Sequence, residues 1–153
     1  MIVIDANVLL YAYNADAPQH RTTAKWLATL LESGETVAVP WVTIWAFIRV
    51  STNPRIWTNP KSAQEAFAIV GDWLAQPGII TLQPGPLHTE ILEKLVVDYG
   101  ATGPLVTDAV LAALATEHGA ILASTDQDFR RFPHLKWVNP LAIDASHLFN
   151  LLP

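Results

Sequence analysis

The sequence predicts an α/β fold with a central, mostly parallel sheet covered by helices on both faces. Two observations carry this. Short runs rich in Ile, Val and Leu alternate with longer stretches whose apolar residues fall at helical spacing, the pattern of βαβ units. The short runs are apolar along almost their whole length, as strands buried on both faces are. With 153 residues, the chain fits one domain of about 100–200 residues and needs no staples to bury a core.

The first strand is expected at 2–5 (IVID), ending in an acid, and a short helix at 7–13 follows it. A helix over 17–33 takes Asp16 and Pro18 as start signals, places Ala24, Leu27, Leu30 and Leu31 on one stripe, and stops at Gly34. The run TVAV at 36–39 is the second strand, closed by Pro40. The stretch 42–51 is helical, with Ile44, Phe47 and Ile48 on one face. Two Asn-Pro steps resist helix across 52–60 and make it a loop. A helix over 62–75 ends at Pro77-Gly78, and the third strand is 79–82. After a turn at 83–86, a helix spans 87–99, with Glu90 and Lys94 one turn apart. A break at 100–103 precedes a strongly apolar helix at 104–118, stopped by Gly119. The fourth strand is 120–124 and a short fifth is 136–138; residues 139–153 carry no clear signal.

Composition narrows the function. Hydrophobic residues make up 51% and charged residues 15%, against about 25% charged in an ordinary domain, which excludes a mainly disordered chain. A net charge of −5 argues against a generally basic nucleic-acid coat protein but allows a local basic patch. The absence of cysteine excludes disulfides, zinc–thiolate sites and thiol catalysis. No window has the length and apolarity of a membrane span. The N-terminus lacks a basic stretch and carries Asp5 early, so it is not read as a signal peptide; the expected compartment is the cytoplasm.

Three acidic positions stand out. Asp5 ends a buried strand, where ligands of open α/β sheets bind, although capping of the next helix explains it equally. Asp108 is the sole charge in 105–116; it is costly among apolar neighbours, unless the positive end of its helix stabilises it. Asp126 and Asp128 follow the fourth strand in STDQDF, a segment that also reads as an ordinary polar turn. If the strands of Asp5 and Asp126 are neighbours, the carboxylates converge, raise one another's pKa and attract a cation. Oxygen ligands without His or Cys select Mg2+ or Mn2+, which activates water for attack on a phosphodiester. No phosphate-binding Walker loop and no G-x-S-x-G turn is present, against triphosphate or acyl hydrolysis.

The cations are unevenly spread. No acid lies between Glu35 and Glu65, a window holding Arg49, Arg55 and Lys61 among Trp41, Trp45 and Trp57. Arg130, Arg131 and Lys136 form a second group. Cations interleaved with aromatics suit single-stranded nucleic acid; a solvated loop beside core tryptophans is the plainer account. Trp41 and Trp45 are expected in the core, and Trp57 in an exposed or gating position. The histidines at 20, 88, 118, 134 and 147 show no ligand spacing and read as surface or helix-end residues.

The residues then resemble the PIN-domain ribonucleases and, among them, the VapC-like toxins of bacterial toxin–antitoxin modules. The matching segments are IVIDANVLLYAYN at 2–14, FIRVSTNPRIWTNP at 47–60, GPLVTDAVLAALATEHGAILASTDQDFRRFP at 103–133 and KWVNPL at 136–141. The resemblance implies a three-layer α/β/α fold over 1–141; residues 142–153, beyond it, are expected as a tail packed on the same domain. It implies metal-dependent cleavage of RNA, with Asp5, Asp108 and Asp126 as catalytic and metal-binding acids and Asp128 as an accessory ligand. Asn7 and Thr125 match supporting polar positions. Arg49, Arg55, Trp57, Lys61 and Arg130 are the expected contacts to RNA or to an antitoxin.

One position departs from the family. Where relatives often read Glu-Phe-x-Arg, this chain reads Ala46-Phe47-Ile48-Arg49. A weak or inactive RNA-binding module is therefore the alternative to a working nuclease. A phosphatase of the haloacid-dehalogenase kind expects an acid where Asn7 stands, and DNA is a conceivable substrate of the same site. The resemblance also implies a cognate antitoxin that presents a cation to the acids, a homodimer, and contact with operator DNA through the antitoxin.

Overall fold

The computed structural model describes residues 1–143. Five strands form one parallel sheet: β1 (Ile2–Ile4), β2 (Val37–Ala38), β3 (Ile79–Ile80), β4 (Ile121–Ala123) and β5 (Trp137–Val138). Their order is β3-β2-β1-β4-β5. Six helices connect them: α1 (Ala6–Tyr13), α2 (His20–Glu32), α3 (Trp41–Ser51), α4 (Ala63–Leu74), α5 (His88–Asp98) and α6 (Leu105–Glu117). A 3-10 turn, Gln127–Arg131, follows β4.

Side-chain alternation along the strands divides the core into two. Ile2, Ile4, Val37 and Ala123 pack with Val8 and Leu9 of α1, Trp26 and Leu30 of α2, Ile44 and Phe47 of α3, and Trp73 of α4. Val3, Ala38 and Leu122 point the other way, onto Ala109, Leu111, Ala112 and Ala115 of α6. Alternation on successive residues is what a strand imposes. The expected three layers are therefore present, with α1 to α4 on one face and α5 and α6 on the other. Phe47 is fully buried, with Trp73 edge-on at 4.7 Å and Tyr13 at 5.8 Å.

The far end of α6 is anchored to the segment that starts α5. The Glu117 carboxylate accepts hydrogen bonds from the Gly85 N–H (3.0 Å) and the Leu87 N–H (2.9 Å), and lies 3.4 Å from Nδ1 of His88. A Cβ at Gly85 would stand 2.5 Å from Glu117 Oε1, so this close approach requires glycine. Burial pushes the Glu117 carboxyl up, but these two hydrogen bonds and the fields of His88 and His118 outweigh it and hold it below its ordinary value. Gly119 adopts φ 62° just past the helix, the left-handed stop anticipated from sequence.

Several expectations are corrected. α2 starts at His20 rather than 17, because Asp16 does not cap it; the carboxylate of Asp16 instead accepts from Asn59 Nδ2 at 2.8 Å, tying the 52–60 loop to the preceding turn. The third strand stops at Ile80. His88 begins a helix, as a helix-end residue should, but it is buried rather than at the surface. The tryptophans exchange roles. Trp41 and Trp45 are 39% and 64% exposed, while Trp57 is 6% exposed. The buried stripe of α3 runs through Thr43, Ile44, Phe47 and Ser51, which leaves positions 41 and 45 off it. The loop closes through Trp57 N–H to the Asn53 carbonyl and Lys61 N–H to the Ser51 carbonyl, and Trp57 is folded under. Residues 144–153, including His147 and most of the tail assigned to 142–153, lie outside the described residues; Ile143 packs against the first core.

Candidate active site

The strand order dictates where the acids meet. Running outward from β1, the sheet continues to β2 and β3 on one side and to β4 and β5 on the other. Such a reversal opens a crevice at the carboxyl ends of the two strands that flank it. Here these are β1 and β4, paired Ile2 to Ile121, Val3 to Leu122 and Ile4 to Ala123. Asp5 follows β1 directly and Asp126 follows β4 by three residues.

Asp5 caps α1 and also faces the crevice, so the capping account from the sequence does not remove it from the cluster. Its Oδ1 accepts from the Ala6 N–H at 2.6 Å. Its Oδ2 accepts from Ser124 Oγ at 2.6 Å and from Asn7 Nδ2 at 2.7 Å. Burial raises the Asp5 pKa above its ordinary value; these hydrogen bonds oppose the rise and the charge of Asp126 adds to it. Asn7 bridges the strands: its Nδ2 also donates to Ser124 Oγ (2.9 Å), and its Oδ1 accepts from the Thr125 N–H (3.1 Å). Thr125 thus takes part through its backbone.

Ser124 was not among the residues singled out by sequence. It is fully buried. Its hydroxyl donates to Asp5 and accepts from Asn7 and from the Asp126 N–H at 3.0 Å, so one hydroxyl sets both strand-end acids. The available signal was a hydroxyl residue two positions before Asp126 at the end of an apolar strand. Thr43 has a related role behind the site, donating to the Ile4 carbonyl at 2.8 Å.

Asp108, Asp126 and Asp128 each bring one carboxylate oxygen within 4.8 Å of the others. Asp108 is half-buried in the first turn of α6, while Asp126 and Asp128 are exposed. Burial first, then the charges of Asp5, Asp126 and Asp128, push the Asp108 pKa up to about 6. The Asp128 N–H donates to Asp126 Oδ1 at 2.8 Å, and Arg131 Nη2 lies 3.5 Å from Asp128 Oδ1. Asp5 stands outside the trio but shares a small cavity of about 30 Å³ with Asp108, walled also by Val42, Thr43, Ala46 and Thr107. Ala46 presents only a methyl group there.

This donor set fits a hard divalent cation. All its donors are carboxylate oxygens, the ligand type such an ion takes. Burial and then mutual repulsion raise the Asp108 pKa, and a bound cation relieves the repulsion.

The expected nucleic-acid contacts are dispersed. Arg49 is exposed in the last turn of α3. Arg55 is exposed in the 52–60 loop, and Lys61 lies over Trp57 at 5.7 Å. Arg130 lies over Trp137 at 5.8 Å, and the Trp137 Nε1–H donates to the Ser124 carbonyl. No helix among the described residues is long and apolar enough to cross a membrane.

Comparison with known proteins agrees with this fold. The PIN domain family model matches residues 2–135. Ribonuclease VapC37 of Mycobacterium tuberculosis is 38% identical over 143 residues, covering 94% of this chain and 99% of the relative. In fold, the chain is similar to the crystal structure of VapBC2 from Rickettsia felis bound to a DNA fragment from their promoter, with a TM-score of 0.67 at 19% identity over 91% of this chain and 98% of that one. It is also similar to M. tuberculosis VapC20, a sarcin-ricin loop cleaving toxin, with a TM-score of 0.64 at 20% identity over 85% of this chain and 93% of that one. The chain belongs to the PIN domain family and, within it, to the VapC-like proteins.

Proposed function

We propose that the protein is a Mg2+- or Mn2+-dependent endoribonuclease and the toxin of a toxin–antitoxin pair. The observation that carries the reading is the convergence of Asp108, Asp126 and Asp128 beside Asp5 at the β1–β4 crevice. Relatives named ribonucleases match nearly the whole chain, and structures of similar fold are toxins with their antitoxins, some on DNA.

Asp108, Asp126 and Asp128 would hold the cation. When bound, it supplies charge to stabilise the scissile phosphate and to acidify water. Ser124 and Asn7 orient Asp5 and keep its charged form hydrogen-bonded. Asp5 shares the cavity with Asp108 and would join the same acidic set, holding the cation directly or through water. Arg49, Arg55, Lys61 and Arg130 hold the RNA backbone or face the antitoxin. The acidic crevice also suits a cationic side chain presented by that antitoxin.

The test is cleavage of a fluorescent single-stranded RNA panel by antitoxin-free protein, with and without Mn2+, beside Asp126→Asn. Metal-dependent cutting that the variant loses supports the reading; equal cutting by both proteins refutes it. The wall position of Ala46 favours one alternative, an RNA-binding module with weak catalysis. Ala46→Glu adds a carboxylate to the cavity shared by Asp5 and Asp108, and is expected to tighten Mn2+ binding about tenfold or raise the cleavage rate. Unchanged affinity and rate in a folded variant would show that this wall position takes no part in holding the cation.

A further inference from the structure

We propose that Trp41 and Trp45 form a stacking platform for unpaired bases flanking the scissile phosphate, an inference that rests on the ribonuclease reading above. α3 presents two neighbouring rows of side chains. Val42 and Ala46 line the cavity with Asp5 and Asp108. Trp41 and Trp45 each precede one of these by a single residue, about 100° round the helix, so the indoles occupy the helix face next to the row that lines the cavity.

The two rings are one turn apart, with centroids at 6.4 Å and planes tilted by 36°. At 39% and 64% exposure they contrast with Trp26, Trp57 and Trp73, which are all below 7%. Large aromatic side chains are ordinarily withdrawn from water. A pair left exposed on the helix that also lines the acidic cavity offers π-faces on which unpaired bases can stack.

The charges favour a nucleic acid over a protein as the occupant. The row continues one turn further to Arg49, which is exposed and able to pair with a phosphate. No acid occurs between Glu35 and Glu65, so nothing on this helix repels an anionic strand. The Pro40 cap provides no side-chain hydrogen bond to the first turn, leaving the positive end of the helix at Trp41 without a side-chain partner. Stacking accepts any base but requires it to be unpaired. The substrate class is therefore single-stranded or loop RNA, with the bases beside the cut splayed onto the indoles.

The experiment measures binding of fluorescein-labelled single-stranded RNA to the full chain by anisotropy, in EDTA so that the RNA stays intact. Wild type is compared with Trp41→Ala, Trp45→Ala and Trp45→Phe, each checked for fold by circular dichroism. Trp45→Ala is expected to weaken binding about tenfold, within the range for loss of one base–aromatic stack. Trp45→Phe is expected to restore affinity to within about threefold of wild type. RNA abasic beside the cut should bind wild type as weakly as intact RNA binds Trp45→Ala, with no further loss when the two are combined. In Mn2+, KM should rise while kcat changes little. Unchanged RNA affinity in both alanine variants, with wild type binding, overturns the platform and leaves the ribonuclease reading standing. Intact RNA binding with loss of self-association overturns it in favour of a protein interface. If wild type neither binds nor cuts RNA, the ribonuclease reading fails and the platform fails with it.

Discussion

At the scale of the residue, the site is a balance between charges that repel and hydrogen bonds that hold them. Asp108 is raised to about 6 by burial and by its acidic neighbours, so the folded chain takes up its proton more readily than the unfolded chain does. Without metal, stability therefore falls as pH rises from about 4 through 6. Asp108→Asn is expected to abolish cleavage yet to raise the melting temperature at pH 7–8 in chelator. The rise is on the order of 1 kcal/mol, roughly 2–4 °C for a domain of this size, after solvent screening of a half-exposed group; the gap should close near pH 4. A thermal melt series across pH checks both sign and window. Ser124→Ala removes a donor from Asp5 and an acceptor from Asn7 and Asp126, and should cost about 1–3 kcal/mol in urea unfolding along with most of the activity. The acids themselves were legible in the sequence, because a charge at the end of an apolar strand or inside an apolar helix is out of place. Ser124 was not, since a small hydroxyl before a turn is unremarkable until its partner 119 residues away is known. The exposure of Trp45 and the burial of Trp57 were also hidden, because a turn of helix and the closure of a loop decide them.

At the scale of the element, helices and strands were legible where their apolar period was strong and less so where caps or loops decide. α6 was anticipated to within a residue at either end because Gly119 and the Ala-rich run frame it. α2 begins three residues late because Asp16 bonds across to Asn59 instead of capping. α4 gains a hydrogen-bonded capping box between Ser62 and Glu65, a spacing visible in the sequence. α3 is the element on which most depends. One face packs Phe47 against Tyr13 and Trp73, which also touch each other, and the next borders the acids. Phe47→Ala should cost about 3–5 kcal/mol, a large part of the roughly 5–15 kcal/mol that holds such domains together. Urea unfolding at constant m-value measures it; a cost under about 1 kcal/mol would mean that the aromatic cluster can collapse to fill the space.

At the scale of the whole molecule, residue patterns identified the strands but not which strands lie side by side. The convergence of acids was conditional on β1 and β4 being neighbours, and periodicity is blind to that order. The pairing has a cost in chain entropy, since β1 and β4 are separated by more than a hundred residues. It also sets a prediction: a chain ending at residue 118 retains Asp5 and Asp108 but lacks Ser124, Asp126 and Asp128. It should therefore show no Mn2+-dependent cleavage and no cooperative unfolding in a thermal melt. The central strand is made more than a hundred residues before its partner on the crevice side. Until that partner follows, the nascent polypeptide holds Asp5 without Ser124, Asp126 and Asp128, and is harmless to the RNA around it, including the ribosome producing it. The distance along the chain between two strands that touch in the fold thus acts as a delay between the making of the first acid and the assembly of the set.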